Sequence, residues 1–238
     1  TANRDMAAEL FENPDPSLSI LHVPLESYSA WIDKELESEV TKRMDEFKFV
    51  LHGNLRNTRF FTNWMNKQKL AEKFRKMVHL AVDAPTAAHL ESAGLPAIQP
   101  KQEGKAIDVL EFMLRISREG LSLYPAIEGE QEELPALLGE LDLPVVEFTV
   151  CREDRVSESD LKTFRNQVDK EEFSHILIHN RGALTRIRTA FPGLNLKKSG
   201  LISGSPGVTT RLIEEGLEPL REASGTWISI REILNDLT

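Results

Sequence analysis

The chain of 238 residues carries 38 acidic against 29 basic side chains, a formal net charge of −9, with 40% hydrophobic and 28% charged residues. That length allows a sizeable core and favours two domains of roughly 100–150 residues over one, while the acidic excess excludes a broad nucleic-acid surface, which needs Lys and Arg facing the phosphates. No apolar run approaches the about 20 residues of a membrane span, and the single cysteine, Cys151, excludes an internal disulfide or a Cys/His zinc cluster and fits a reducing, cytoplasmic setting.

In chain order, Thr1–Leu10 reads neither as a secretory leader nor as a transit peptide. Amphipathic stretches predict helices over Arg4–Phe11, Thr58–Lys76, Pro85–Ala93, Ala106–Arg118, Glu132–Leu141, Ser159–Val168, Arg181–Phe191, Pro206–Glu215 and Trp227–Leu237. Short apolar runs bounded by turn residues predict strands over Ser19–Leu25, Phe47–His52, Val78–Asp83, Leu121–Ala126, Pro144–Cys151, His175–His179 and Gly200–Gly204. Strands alternating with helices imply an α/β chain with parallel sheets.

An internal repeat organises these elements. FVLHGNLRNTR (Phe49–Arg59) matches ILIHNRGALTR (Ile176–Arg186), setting His52 against His179, Thr58 against Thr185 and Arg59 against Arg186. PTAAHLESAGLP (Pro85–Pro96) matches TTRLIEEGLEP (Thr209–Pro219), each a helix closed by glycine, Gly94 or Gly216. Ile107, Val109, Phe112 and Met113 match Ile228, Ile230, Ile233 and Leu234. A weaker echo joins MAAELFENPDPSLSILHVPL to LPALLGELDLPVVEFTVC. Three matches in one order, at an offset that shrinks as loop deletions would make it, describe a tandem duplication.

Two tandem α/β copies, each with a strand-to-polar-turn motif and a later turn-helix-Gly motif, resemble the uroporphyrinogen-III synthases over nearly the whole chain. In that family the first turn reads like F-T-S-P or F-S-P-S, and the later segment like V-G-x-x-T-A followed by a helix and G-L. VDAPTAAHLESAGL (Val82–Leu95) carries the second signature, and ISGSPGVTTRLIEEGL (Ile202–Leu217) a looser form. The first-turn positions hold His52, Gly53 and Asn54 in one copy and His179, Asn180 and Arg181 in the other.

The resemblance implies two similar lobes, each a parallel sheet flanked by helices, joined by two extended crossings. Residues 1–22 plus 153–238 would form the first lobe and 26–147 the second, with crossings at 22–26 and 148–152 (HVPLE and FTVCR). A family member has a strand before the position of Thr1. The resemblance further implies a cytoplasmic, monomeric enzyme without a cofactor or metal. It would bind linear hydroxymethylbilane and close it to uroporphyrinogen III, losing the terminal hydroxyl and inverting one pyrrole ring. Substrate would lie between the lobes, held largely by proximity and orientation.

Helix N-termini at strand ends suit a polycarboxylate substrate, since they offer backbone N–H groups and a positive dipole end. The expected contacts are His52, Gly53, Asn54, Pro85, Thr86, His179, Asn180, Arg181, Ser205, Pro206 and Gly207, with Thr209 and Thr210 nearby. Thr86 matches the family threonine, and equally fits a helix-start residue bonded to its own backbone. The histidines fit carboxylate binding or proton transfer, and equally a hydrogen bond to backbone at a strand end. Cys151 stands where the family tyrosine, the candidate for assisting hydroxyl loss, would stand, and reads more naturally as a small buried residue. Arg59 and Arg186 read as solvated, Trp31, Trp64 and Trp227 as packing residues, and the glutamates of AIEGEQEE (Ala126–Glu133) as repelling an anion or complementing a helix dipole.

Neither a G-x-G-x-x-G nor a P-loop is present, which disfavours a nucleotide enzyme. Two rivals to the synthase are a non-catalytic relative binding a tetrapyrrole or small anion, and a periplasmic-type two-lobe solute receptor.

Overall fold

A computed structural model describes residues 18–101, 105–116, 119–130, 132–225 and 227–237, with the Arg181 side chain also outside the description. The fold is α/β, in two compact units. One is Tyr28–Glu153; the other joins the segment ending at Ser27 to the chain from Asp154 onward. The helix expected over Arg4–Phe11 and the end of that over Ala106–Arg118 fall outside the described residues.

The chain runs through β1 (Ser27–Ala30), α1 (Lys34–Lys42), β2 (Phe47–His52), α2 (Leu55–Lys67), α3 (Ala71–Phe74), β3 (Val78–Ala81), α4 (Ala84–Ser92), β4 (Ala97–Ile98), α5 (Ala106–Ile116), β5 (Leu121–Ile127), α6 (Glu133–Glu140) and β6 (Val145–Asp154). These strands form a six-stranded sheet ordered β1-β6-β5-β2-β3-β4. The ladders joining β5 to β6 and β2, β2 to β3 and β3 to β4 are all parallel. Central β2 is apolar on both faces, as a covered parallel strand must be. Phe49 and Leu51 pack with Val109, Leu110 and Met113 of α5, whereas Val50 packs with Phe61, Trp64 and Met65 of α2 and Phe74 of α3.

The second unit continues with α7 (Glu158–Val168), β7 (His175–Ile178), α8 (Arg181–Ala190), β8 (Gly200–Ser203), α9 (Pro206–Glu214), β9 (Pro219–Glu222) and α10 (Trp227–Asn235). Its three strands lie in the order β7-β8-β9, all parallel. Leu25 joins this core beside Ile178, Leu184, Ile187, Leu201 and Leu212, with Val23 packed against it.

The succession strand, helix, strand, helix, strand, helix from β2 to α5 recurs from β7 to α10, with α3 as the one addition. The matched glycines do the same work in both copies. Gly94 and Gly216 sit at φ 76° and 68°. Leu95 N–H bonds to Leu90 O and Leu217 N–H to Leu212 O, both at 2.9 Å, closing a Schellman motif at each helix end.

The first repeat anchor is one residue out of register. Val82 N–H bonds to His52 O where Gly204 N–H bonds to Ile178 O, and the helix caps are Asn54 and Asn180. His52 therefore corresponds to Ile178, and Gly53 to His179. Because a strand alternates faces, one residue moves His179 off the strand and into the turn, while His52 stays in the core.

Two expectations change. Residues 18–26 make no strand, since Pro24 lacks an N–H for a ladder and Leu25 turns into the core; the strand here is β1. The helix expected over Thr58–Lys76 is two, broken at Lys69 in the left-handed region (φ 58°), where Leu70 N–H returns to Met65 O. Helix α1 and the short edge strands β4 and β9 had no strong sequence signal.

Candidate functional site

At the end of β2 the side chain of Asn54 does two things. Its Oδ1 accepts from Asn57 N–H at 2.9 Å, capping α2, and its Nδ2 donates to Glu132 Oε1 at 3.0 Å. Asn57 Nδ2 reaches both oxygens of Glu132, at 3.2 and 3.0 Å, and Pro125 O at 3.0 Å. The Arg56 guanidinium lies 4.4 Å above the Tyr28 ring and 3.7 Å from the carboxylates of Glu130 and Glu132. Burial raises the Glu132 pKa from its ordinary value, outweighing the Tyr124, Arg56 and Asn57 contacts that favour the carboxylate. Burial likewise drives the Tyr124 phenol far above its ordinary range, helped by the Glu132 charge.

Gly53 makes this assembly possible. A Cβ there would lie 3.0 Å from Tyr124 Cζ and closer still to the phenolic oxygen. Asn57 Oδ1 accepts from Arg56 Nε at 2.9 Å and from Cys151 Sγ at 3.6 Å.

The other unit repeats the device with different residues. Asn180 Oδ1 accepts from Ala183 N–H at 2.8 Å to cap α8, and Nδ2 donates to Glu26 Oε1 at 3.0 Å. His179 Nε2 lies 3.1 Å from Glu26 Oε2, and Arg186 pairs with Glu26 Oε1. Glu26 is only 3% exposed, so these partners replace its water. Burial lowers the His179 pKa despite the neighbouring carboxylate, and the ring stacks on Trp227 with centroids 5.6 Å apart. In each copy the cap asparagine at the strand end thus holds a glutamate of its own unit.

The later signature places two further helix starts at strand ends. Asp83 Oδ1 accepts from Thr86 N–H at 2.9 Å, with Pro85 in the first turn of α4. Thr86 is fully buried, and its hydroxyl has no hydrogen-bond partner among the described residues, so it is not bonded to its own backbone. In α9, Pro206 opens the helix beside Gly207, and Ser205 stands at the cap without a side-chain cap bond. The Thr209 hydroxyl, one turn in, is also buried and without a hydrogen-bond partner among the described residues. Gly204 approaches residue 179 so closely that a Cβ would fall 2.7 Å from His179 Cα.

The remaining expected positions divide clearly. His52 is 1% exposed and bonded inside the core, to Thr58 and His79. Cys151 is fully buried and its thiol is pushed up to about 11 by burial. Arg181 is the first residue of α8. Arg186, expected in solvent, turns inward onto Glu26 because that buried carboxylate needs a cation. Trp64 is core, packed on Phe148 at 4.5 Å, whereas Trp31 is exposed beneath the Arg152 guanidinium. Sequence reasoning missed Glu26, Arg56, Asn57, Tyr124 and Glu132. The signal available for one of them, Asn57, was its pairing with Asn54, a cap and a first-turn amide on one helix face. Among the described residues no His, Cys, Asp and Glu group has the make-up of a metal site, and no helix is long and apolar enough to cross a membrane.

The chain matches no family model and no curated protein sequence. Its fold is similar to that of a uroporphyrinogen III synthase from Thermus thermophilus, at TM-score 0.61 and 14% identity over 99% of this chain and 94% of that one. It is also similar to a uroporphyrinogen-III synthetase from Helicobacter pylori, at TM-score 0.66 and 14% identity over 90% of this chain and 91% of that one. The α/β architecture expected from the repeat and its signatures is the fold of both.

Proposed function

We propose that this protein is a uroporphyrinogen III synthase that closes linear hydroxymethylbilane with loss of water, acting as a cytoplasmic monomer without a cofactor. The observation that carries the reading is the likeness of fold to two such enzymes over at least nine-tenths of the chain. The site geometry is compatible with it. Helices α4 and α9 start at strand ends, where the positive end of the helix dipole suits the carboxylates of a flexible substrate. Under these helix starts the Thr86 and Thr209 hydroxyls are buried without a hydrogen-bond partner among the described residues, spare donors that a bound group would have to uncover. Their role is orientation: bringing the terminal rings together replaces a large entropic cost.

Cys151 supplies no proton in this scheme, being buried with its thiol pushed up to about 11. That residue, with Asn54, His179 and Asn180 already engaged by the chain's own glutamates, favours a second reading: a relative that binds a tetrapyrrole without turning it over. Incubation with freshly generated hydroxymethylbilane, followed by resolution of the product isomers, separates the two. Isomer III establishes the synthase; isomer I alone, the product of spontaneous closure, from folded protein overturns it.

A further inference from the structure

Beneath the end of β2 four polar contacts run in series. The Thr58 hydroxyl lies 2.7 Å from Asn54 O and 3.2 Å from His52 Nδ1. His52 Nε2 lies 3.0 Å from His79 Nδ1, and His79 Nε2 lies 2.8 Å from Phe74 O. Both rings are 1% exposed and stacked, with centroids 5.3 Å apart. Carbonyl oxygens close the series at both ends, and a carbonyl only accepts.

The protons can be counted. Four contacts need four hydrogens, but one hydroxyl and two neutral imidazoles supply three. If Thr58 donates to Asn54 O and His79 Nε2 donates to Phe74 O, His52 must donate from Nδ1, and two bare lone pairs then face each other between the rings. If instead His52 carries its proton on Nε2 and donates to His79, the Thr58 hydroxyl turns to His52 Nδ1 and Asn54 O loses it. A fourth proton, taken up by the pair, satisfies every contact at once.

We propose that His52 and His79 form a proton-linked switch that takes up one proton as a pair and swings the Thr58 hydroxyl from His52 to the Asn54 carbonyl. Asn54 caps α2 and holds Glu132, so the switch acts on the turn at the strand end. Phe61 of α2 packs edge-on against His52, and α3 contributes the Phe74 carbonyl. The titratable group acting on the pair from outside is His89 of α4, which is itself lowered by burial and by Arg59 of α2. Burial and these neighbours oppose the added charge, which places uptake on the acid side of the ordinary histidine value and leaves the pair neutral at pH 7.

The test is ring-nitrogen NMR on ¹⁵N-labelled protein from about pH 8 downward. At the start both rings should carry Nε2–H. On acidification one proton should enter, with both rings moving in a single shared step and His52 Nδ1 becoming protonated. Thr58→Val removes the acceptor that the charged form requires and should weaken proton uptake at least tenfold, while Thr58→Ser should restore it. In His79→Leu no acceptor faces His52 Nε2, so proton uptake by His52 should weaken likewise while the protein remains folded, which keeps the test decisive if Thr58→Val does not fold. Independent titration of the two rings, or an unchanged midpoint in folded Thr58→Val, overturns the proposal whether or not the protein is a synthase.

Discussion

Replacing Asn180 separates two tasks performed by one side chain. Its Oδ1 caps α8 through Ala183 N–H at 2.8 Å, and its Nδ2 donates to Glu26 Oε1 at 3.0 Å. Asn180→Ala loses both. A missing cap costs about 1 kcal/mol and a donor withdrawn from a buried carboxylate about 1.5–3 kcal/mol, so a loss of about 2–4 kcal/mol is expected. Water cannot compensate, because Glu26 is 3% exposed. Asn180→Asp keeps the cap, for which aspartate is as good as asparagine, but sets a second carboxylate against Glu26. The aspartate variant should therefore be the less stable of the two, although capping preference alone would make it nearly neutral. Urea unfolding of the wild type and both variants measures this directly. An aspartate variant more stable than the alanine variant would refute the idea that Asn180 mainly serves Glu26.

The glycine at the turn gives a steric test: Gly53→Ala should cost about 1–3 kcal/mol in thermal melts by driving a methyl into Tyr124, whereas Gly193→Ala, with nothing within 4 Å, should change stability by no more than about 0.5 kcal/mol. His52, His79, His89 and His179 all have lowered folded-state values, chiefly through burial. Their contribution to stability is complete above the unfolded value of about 6.5 and is lost as pH falls below it, while Glu132, raised by burial, works in the opposite sense at lower pH. Urea midpoints should accordingly drop between about pH 7.5 and 5.5, and flat midpoints would contradict the burial account. Thr86→Val removes a buried hydroxyl without a hydrogen-bond partner among the described residues, so stability should hold or rise, within about 1 kcal/mol, while turnover falls if that hydroxyl serves substrate. Cys151 should resist a thiol reagent in the native protein at pH 8 and react promptly once unfolded, as followed by mass spectrometry.

Much of the fold was legible because the strands are short apolar runs and the helix ends carry local chemistry. Phe47–His52 is a strand at the limits its pattern predicts, and Gly94 and Gly216 mark helix ends because a left-handed backbone favours glycine. Lys69 takes the same conformation without a glycine, and the break between α2 and α3 was hidden for that reason. The duplication was legible as well, but the identity of His52 with His179 pulled the match one residue away from the ladder register. That slip concealed the main contrast at the site, a histidine in the core against a histidine in the turn. Glu26 and Glu132 were illegible for a different reason. Each meets its asparagine across a loop or a long sequence separation, and no local pattern tells a glutamate that folds inward from one that faces water.

Whether this scaffold directs ring closure is read from the isomer composition of uroporphyrinogen formed from hydroxymethylbilane at increasing protein concentration, with spontaneous closure as the internal control. Isomer III should displace isomer I in proportion to protein. An isomer I product that stays constant across that range, with the protein folded throughout, would overturn the proposed synthase function.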